Sequence, residues 1–373
     1  MRVGMIVKPE TVISGTSRYT NGIYQGLLEA GVDVHLTYPD PAPLPGPALG
    51  VLKNLGMDLE TFFAGCPIHV KLDPADLYHI PSQTMATLLM FQRFPAPVVV
   101  TVLDIIPYLV RGDPVLDTSR HIIERSFYRL ALAGLKRADA LIAISHFTKS
   151  SLVEALGIPE ERIHMVYPAL DHEHFKPMKV PEDFRQKYKL SRGYRYILNV
   201  GSDDPRKNLT ALVDAIALVR QQRADVRLLK IGAPHHMQER QRLLERVQRL
   251  GLVDEVQLVD QVEDDELPFF YNVADVFVMP SLLEGFGIPV AEAMACGVPV
   301  VCSSETAVPE VAGSAALLVS PRNPEKMAGE VSRVLEDDAL AERMRKRGFE
   351  QAATFTSHRV TEGVIKVYSS VIA

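Results

Sequence analysis

Twelve short apolar runs, each followed by a segment of helical periodicity, constrain the fold of this 373-residue chain more than any single motif does. Strands that alternate with helices build parallel sheets from βαβ units. In the first half the runs predict strands at Arg2–Val7, Val34–Tyr38, Leu77–His79, Val98–Leu103, Ala140–Ile144 and His164–Val166. The second half repeats the plan at Tyr196–Val200, Arg227–Ile231, Val256–Leu258, Val276–Met279, Pro299–Cys302 and Ala316–Val319. Each half is therefore expected to be a six-strand doubly wound α/β unit of Rossmann-like type. The length exceeds one ordinary core and favours two domains. There is no short-period repeat.

The boundary is expected within Ala169–Gly193, where DHEHFKPMKVPEDF is polar and carries proline. That gives a first domain at 1–170, a linker at 171–193, a second domain at 194–355 and a last helix at 356–373. Val360, Val364, Val367 and Val371 recur at helical spacing, so this helix has an apolar stripe to bury, expected at the domain junction. YPDPAPLPGP, from Tyr38 to Pro47, reads as a surface loop inside the first domain. Two similar domains facing a cleft is the expected architecture.

Composition excludes several classes. Hydrophobic residues at 47% and charged residues at 23% describe an ordinary globular chain. A net charge of −6 gives no electrostatic basis for nucleic acid, so none is expected as a partner. Cys66, Cys296 and Cys302 lack metal-ligand spacing and read as buried thiols of a reducing compartment. The first apolar run stops at Lys8 and Pro9, which suits a strand and not a signal peptide, and no apolar run is long enough to span a bilayer. A cytoplasmic protein is expected.

Three strand-to-helix loops carry the chemistry. The first follows the strand at Asp275–Met279: Pro280–Ile288 holds Glu284, Gly285 and Gly287, then Pro289 opens a short helix that Gly297 and Pro299 close. Backbone N–H groups and a helix start at a strand end suit an anionic ligand. Glu284 and Glu292 flank this loop at a spacing of eight. The second is VGSDDPRKNLTALVDAI, where Asp204 is expected to cap a helix beginning near Pro205. Arg206 and Lys207 would then sit in the first turn against the helix dipole, which suggests a compensating anion such as a diphosphate. The third is the small-residue turn Ser14–Ser17, in which Gly15 can present backbone N–H groups to a phosphate. It lacks the G-x-G-x-x-G pattern of dinucleotide folds.

SLLEGFGIPVAEAMACGVPVV, PRKN after a VG strand, and the Gly15 turn together resemble the retaining glycosyltransferases of family 4, which have the GT-B fold. The resemblance runs from the first strand to about Phe355. It implies a nucleotide-diphosphate sugar substrate, no metal and no cofactor. It also implies that Glu284 meets the donor sugar hydroxyls and that the backbone of Gly285, Phe286, Gly287 and Ile288 holds sugar and phosphate. By the same resemblance Glu292 would accept from the ribose hydroxyls, Val262 would meet the base through its backbone, and Lys207 and Arg206 would neutralise the leaving diphosphate. Asp104 matches the family's acceptor-side Asp. Leu103 stands where the family often has His, and Ser202 where it often has Arg.

The chemistry agrees with that implication. Breaking a glycosyl–phosphate bond builds positive charge on the sugar and negative charge on the diphosphate, so preorganised cations and N–H dipoles are the main requirement. His146 and His79, each at a strand end, are candidates for an acceptor contact, against the plainer reading of a solvated or buried histidine. His172 and His174 in DHEHF read as solvated and not as metal ligands. Arg111, Arg120, Arg125, Arg129, Lys136 and Arg137 make 111–137 basic, and a helix at 120–137 could rest on an anionic membrane at its inner face, though a charged face over a packed core is the simpler account. The expected function is transfer of a sugar to a glycan or lipid-linked glycan acceptor in cell-surface polysaccharide assembly. Two alternatives stay open: a GT-B epimerase or phosphorylase, and a non-catalytic relic that binds a nucleotide sugar or scaffolds a partner.

Overall fold

The computed structural model describes residues 1–8, 15–39, 65–118, 122–234 and 236–372. Backbone contacts divide the chain into two compact units, Met1–Ala169 with Ser357–Ala373, and Leu170–Thr356.

Unit 1 holds β1 (Arg2–Ile6), β2 (Asp33–Thr37), β3 (Leu77–Ile80), β4 (Val98–Val102), β5 (Ala140–Ala143) and β6 (Ile163–Met165). They form one sheet in the order β2-β1-β3-β4-β5-β6, and every pair is parallel. The central strands β3, β4 and β5 are buried along their whole length, as near-continuous Val, Leu and Ile require when helices cover both faces. Strand order reverses between β1 and β3, which is where a doubly wound sheet opens a crevice at its carboxyl edge.

Unit 2 holds β7 (Arg195–Val200), β8 (Val226–Ile231), β9 (Val256–Val259), β10 (Val276–Met279), β11 (Val300–Ser303) and β12 (Leu317–Val319). Their order is β12-β11-β10-β7-β8-β9, again all parallel. The reversal here falls between β7 and β10. All twelve strands lie where the sequence places them, with ends shifted by one residue or so.

The last helix, Ser357–Ile372, belongs to unit 1. Its stripe of Val360, Val364, Val367 and Tyr368 is buried, and Thr361 fits against Gly26 of the first helix, Gly15–Glu29. A side chain at position 26 would collide with Thr361. Tyr368 also reaches the sheet: its hydroxyl and His79 Nδ1 are 2.7 Å apart, and His79 Nε2 lies 2.9 Å from Thr101 Oγ1. Tyr19 of the first helix donates to the same Thr101 hydroxyl at 3.4 Å. His79 has no exposed surface, and burial pushes its imidazole down to about 3. The expectation of an acceptor contact at His79 is therefore corrected: it is a core histidine that ties two strands to the last helix.

The basic segment forms the helix Ile122–Leu135. Ala131, Leu132, Gly134 and Leu135 are buried, with Gly134 pressed on the Ala86 carbonyl, while Ile122, Arg125 and Arg129 are exposed. Arg120 and the segment 40–47 lie outside the described residues. Among the described residues no helix is long and apolar enough to cross a membrane.

Candidate active site

The loops that follow β7 and β10 meet at the switch point of unit 2. After β7, Pro205–Lys207 make one 3-10 turn, and Asp204 Oδ1 caps it by accepting from Arg206 N at 3.0 Å. Asn208 then turns left-handed (φ 56°), and the α-helix starts only at Leu209 and runs to Gln222. The expectation that Arg206 and Lys207 oppose a helix dipole is thus corrected, because neither lies in the helix. Their side chains project to the neighbouring loop instead.

That loop carries Glu284, which is 6% exposed. Lys207 Nζ donates to Glu284 Oε1 at 2.6 Å, and Arg206 Nη1 donates to Oε2 at 3.2 Å. Arg206 also donates to the Leu283 carbonyl at 3.2 Å, and its own carbonyl accepts from Leu282 N at 2.7 Å. Burial alone would raise the Glu284 carboxyl, but Lys207 and Arg206 outweigh burial and hold it below the ordinary carboxylate range. The anion that compensates both cations is therefore supplied by the chain itself, Glu284 to both and Asp204 to Arg206 at 3.6 Å.

The remainder of the loop is built for close approach. Glu284 N donates to Thr306 Oγ1 at 3.1 Å, and Thr306 sits at φ 58°, a conformation few Thr residues adopt. Gly287 has φ 102° and precedes the helix Ile288–Ala295, with Met279 Cε 3.1 Å from where a side chain would begin. Gly285, Phe286 and Gly287 are buried, Phe286 edge-on to Phe355 with centroids 5.5 Å apart, and Ile288 is half-buried. Gly297 ends the helix in the left-handed region (φ 75°), packed on Phe349.

Glu292, four residues into the helix, is 4% exposed and accepts from Tyr271 Oη at 2.6 Å. Val262 is half-buried in the segment after β9. Lys207, Arg206, Glu284 and the 285–288 backbone are thus brought together, while Glu292 is held through Tyr271.

In unit 1, Gly15 is the first residue of its helix, and Ser14 before it lies outside the described residues. Asp104 Oδ1 accepts from Ile106 N at 2.9 Å just past β4. His146 is exposed at the start of the helix His146–Leu156, edge-on to Tyr167, and Ser145 caps that helix by accepting from Thr148 N at 3.0 Å. In the linker, His174 Nε2 meets the Asp264 carbonyl at 3.1 Å and Glu173 pairs with Lys176 at 3.0 Å.

Sequence reasoning missed a buried ionic cluster behind the Arg206–Lys207 turn. Asp203 is 1% exposed and pairs with both Lys230 and Arg240, and Arg240 Nη2 reaches Asp260 at 2.7 Å. Lys230 Nζ also donates to the Gly232 carbonyl at 2.6 Å. Burial lowers the Lys230 ammonium, and Asp203 counteracts it. A lysine inside the apolar run VRLLKI was the legible signal, since a charge at a central strand position needs a buried partner.

Two family models match this chain. Glycosyl transferases group 1 matches residues 180–351, and Glycosyltransferase Family 4 matches residues 13–174. The chain belongs to the family 4 glycosyltransferases. It is 33% identical over 237 residues to the O-antigen chain mannosyltransferase B of Escherichia coli, covering 63% of this chain and 61% of that one. To the serotype-specific mannosyltransferase WbdA of Escherichia coli it is 29% identical over 272 residues, 69% of this chain and 33% of that one. The matches thus span about three fifths of the first relative's length and a third of the second's. Among solved structures, sucrose-phosphate synthase from Thermosynechococcus elongatus superposes with TM-score 0.75 at 22% identity, over 99% of this chain and 98% of that one. Anabaena HepE in complex with UDP and glucose superposes with TM-score 0.75 at 18% identity, over 99% and 100%. These neighbours establish the GT-B fold for this family 4 glycosyltransferase.

Proposed function

We propose that this glycosyltransferase moves a hexosyl group, mannosyl by analogy with its relatives, from a nucleotide-diphosphate sugar to a glycan or lipid-linked glycan in cell-surface polysaccharide assembly. The observation that carries the reading is the paired grip of Lys207 and Arg206 on Glu284 at the switch point of unit 2.

As the glycosyl–phosphate bond breaks, its electron pair leaves on the diphosphate, and Lys207 and Arg206 stabilise that charge. Each Glu284 oxygen has a further lone pair beyond the one its cation occupies, so the same carboxylate can accept from donor sugar hydroxyls. Glu292 would take the ribose hydroxyls, and the Val262 backbone would meet the base. The backbone of Gly285, Phe286, Gly287 and Ile288 would hold sugar and phosphate. Asp104 and His146 would serve the acceptor, whose hydroxyl forms the new bond to the anomeric carbon while its proton passes to a donor phosphate oxygen. Configuration is retained in this scheme, and no metal or cofactor takes part.

Thermal unfolding with UDP, GDP and ADP and their sugar conjugates tests it. A ligand at about 100 times its Kd adds roughly 2.7 kcal/mol. One base should raise the transition of unit 2 in the wild type and fail to do so in Lys207→Ala. Silence from every diphosphate would overturn the donor site.

A peripheral contact with an anionic membrane surface is a secondary reading, favoured by Ile122, 80% exposed beside Arg125 and Arg129. Co-sedimentation with phosphatidylglycerol vesicles checks it: Ile122→Glu should abolish pelleting at low salt.

A further inference from the structure

Unit 1 contains a cavity of about 320 Å³ that the donor site does not use. It opens at the switch point of its sheet. Lys8 follows β1, Thr84 lies in the 3-10 turn Gln83–Thr87 after β3, and Tyr108 lies in the short helix Ile106–Leu109 after β4. The helix Ile122–Leu135 closes one side with Glu124, Arg125, Tyr128 and Arg129.

Its charge is opposite in sign to that of the whole chain. Arg125 and Asp117 on the wall neutralise one another at 3.1 Å. Lys8, Arg111 and Arg129 have no carboxylate partner among the described residues, and face one further wall carboxylate, Glu124. The cavity therefore holds a net charge of about +2 within a chain of −6. Burial lowers the Lys8 ammonium and pushes the neighbouring Cys66 thiol up to about 11, so the thiol remains neutral and leaves the wall positive.

A second, independent observation points to a ligand. The Tyr128 hydroxyl lies on the cavity wall, buried, with no hydrogen-bond partner among the described residues. Buried hydroxyls ordinarily find a partner, and one left open toward a cavity is an unused donor. Burial raises its pKa well above the ordinary tyrosine value, with Asp104 and Cys66 adding to the effect, so it faces the cavity as O–H. Arg111 is held over the Tyr108 ring, 4.9 Å from its centroid, which fixes a guanidinium at the rim while leaving its N–H groups open.

We propose that this cavity selects the acceptor by a phosphate ester carried next to the sugar that is glycosylated, with Arg111, Arg129 and Lys8 on the phosphate and Tyr128 donating to an acceptor oxygen. Guanidinium groups match phosphate oxygens with paired N–H donors, and the volume suits one sugar with its phosphate. The proposal rests on reading the chain as a sugar transferase, and it names the acceptor class for that reading. The same phosphate chemistry is offered by a free sugar phosphate and by a sugar on a lipid diphosphate.

Calorimetric titration of the full chain separates the outcomes, using glucose, glucose 1-phosphate and citronellyl-diphosphate-linked glucose as probes. In the wild type a phosphorylated probe should bind at least about tenfold tighter than glucose. Arg111→Ala/Arg129→Ala should erase that preference, with far-UV circular dichroism unchanged because both side chains are exposed. Tyr128→Phe should weaken the phosphorylated probe several-fold while leaving nucleotide binding untouched. Lys207→Ala should lose the nucleotide and keep the preference. Whichever phosphorylated probe binds tighter identifies the source. Equal binding of all three probes would overturn the proposal. So would a preference that survives Arg111→Ala/Arg129→Ala and disappears in Lys207→Ala, since the probe would then be sitting in the donor site. Failure of nucleotide binding in the wild type would instead sink the transferase reading.

Discussion

Glu284 shows why single residues in this site have large effects. Its carboxylate is buried, and two cations from another loop make that burial tolerable; removing either weakens the compensation of a buried charge. Lys207→Ala should therefore lower kcat by a factor of roughly 10² to 10³, the scale seen when one transition-state donor is deleted. Steady-state assay with the donor found by thermal unfolding measures it, and an unchanged kcat would remove Lys207 from the chemistry. The same pairing predicts a pH dependence. A carboxyl whose folded pKa is depressed adds stability that is present above the ordinary carboxylate range and is lost as the pH falls through the folded value. Acid denaturation of unit 2 should accordingly flatten in Glu284→Gln, read from midpoints between pH 6 and pH 3 at roughly half-unit steps.

Elements are held by polar contacts in the core as well as by apolar faces. The Ser357–Ile372 helix is joined to β3 through Tyr368 and His79, and an imidazole held neutral there refuses a proton that the unfolded chain accepts. The sign follows: stability is full above about pH 6.5 and is lost as the pH falls toward about 3, by up to roughly 1.4 kcal/mol per pH unit. His79→Gln should shallow that slope in unit 1 while leaving unit 2 unaffected. At the other sheet, Gly232 lies at φ 123°, and a side chain there would collide with the Gly201 carbonyl just before the Arg206–Lys207 turn. Gly232→Ala should destabilise unit 2 by roughly 2 kcal/mol or more, because the left-handed strain and the collision add. Urea unfolding checks this, and a cost below about 0.5 kcal/mol would show that the two loops can part freely.

At the scale of the whole molecule, two compact units with separate cores imply two unfolding transitions. Nucleotide should move one of them. Deleting 357–373 should collapse the other, since Val360, Val364, Val367 and Tyr368 leave an apolar stripe uncovered. At about 1.5–3 kcal/mol per large buried side chain, the loss rivals the whole stability of a domain. Differential scanning calorimetry of the truncated chain should show the transition of unit 2 alone. Two intact transitions would mean that the last helix is dispensable to unit 1.

The twelve strands were legible because apolar runs and helical periods are local properties, and so were Glu284, Arg206 and Lys207, which stand in strand-end loops with recognisable spacing. Sheet order was not legible: β7 next to β10, or β1 next to β3, is a pairing across many intervening residues. The partner of the two cations was also hidden. It was expected in the ligand, whereas the fold brings Glu284 to them from 77 residues away, and a 3-10 turn ended by Asn208 keeps both out of the helix that the Asp204 cap was expected to open. His79 read as a candidate acceptor contact against a buried histidine, and Lys230 was not singled out; Tyr368 and Asp203, brought beside them by the fold, decide both. The sequence alone determined the fold class, the strands and the chemical character of each loop, because hydrophobic period and backbone preference act between near neighbours. The tertiary structure alone decided which charges meet, which histidine is sealed and which tyrosine is left open to a cavity, because burial and ion pairing depend on segments that only the folded chain brings together.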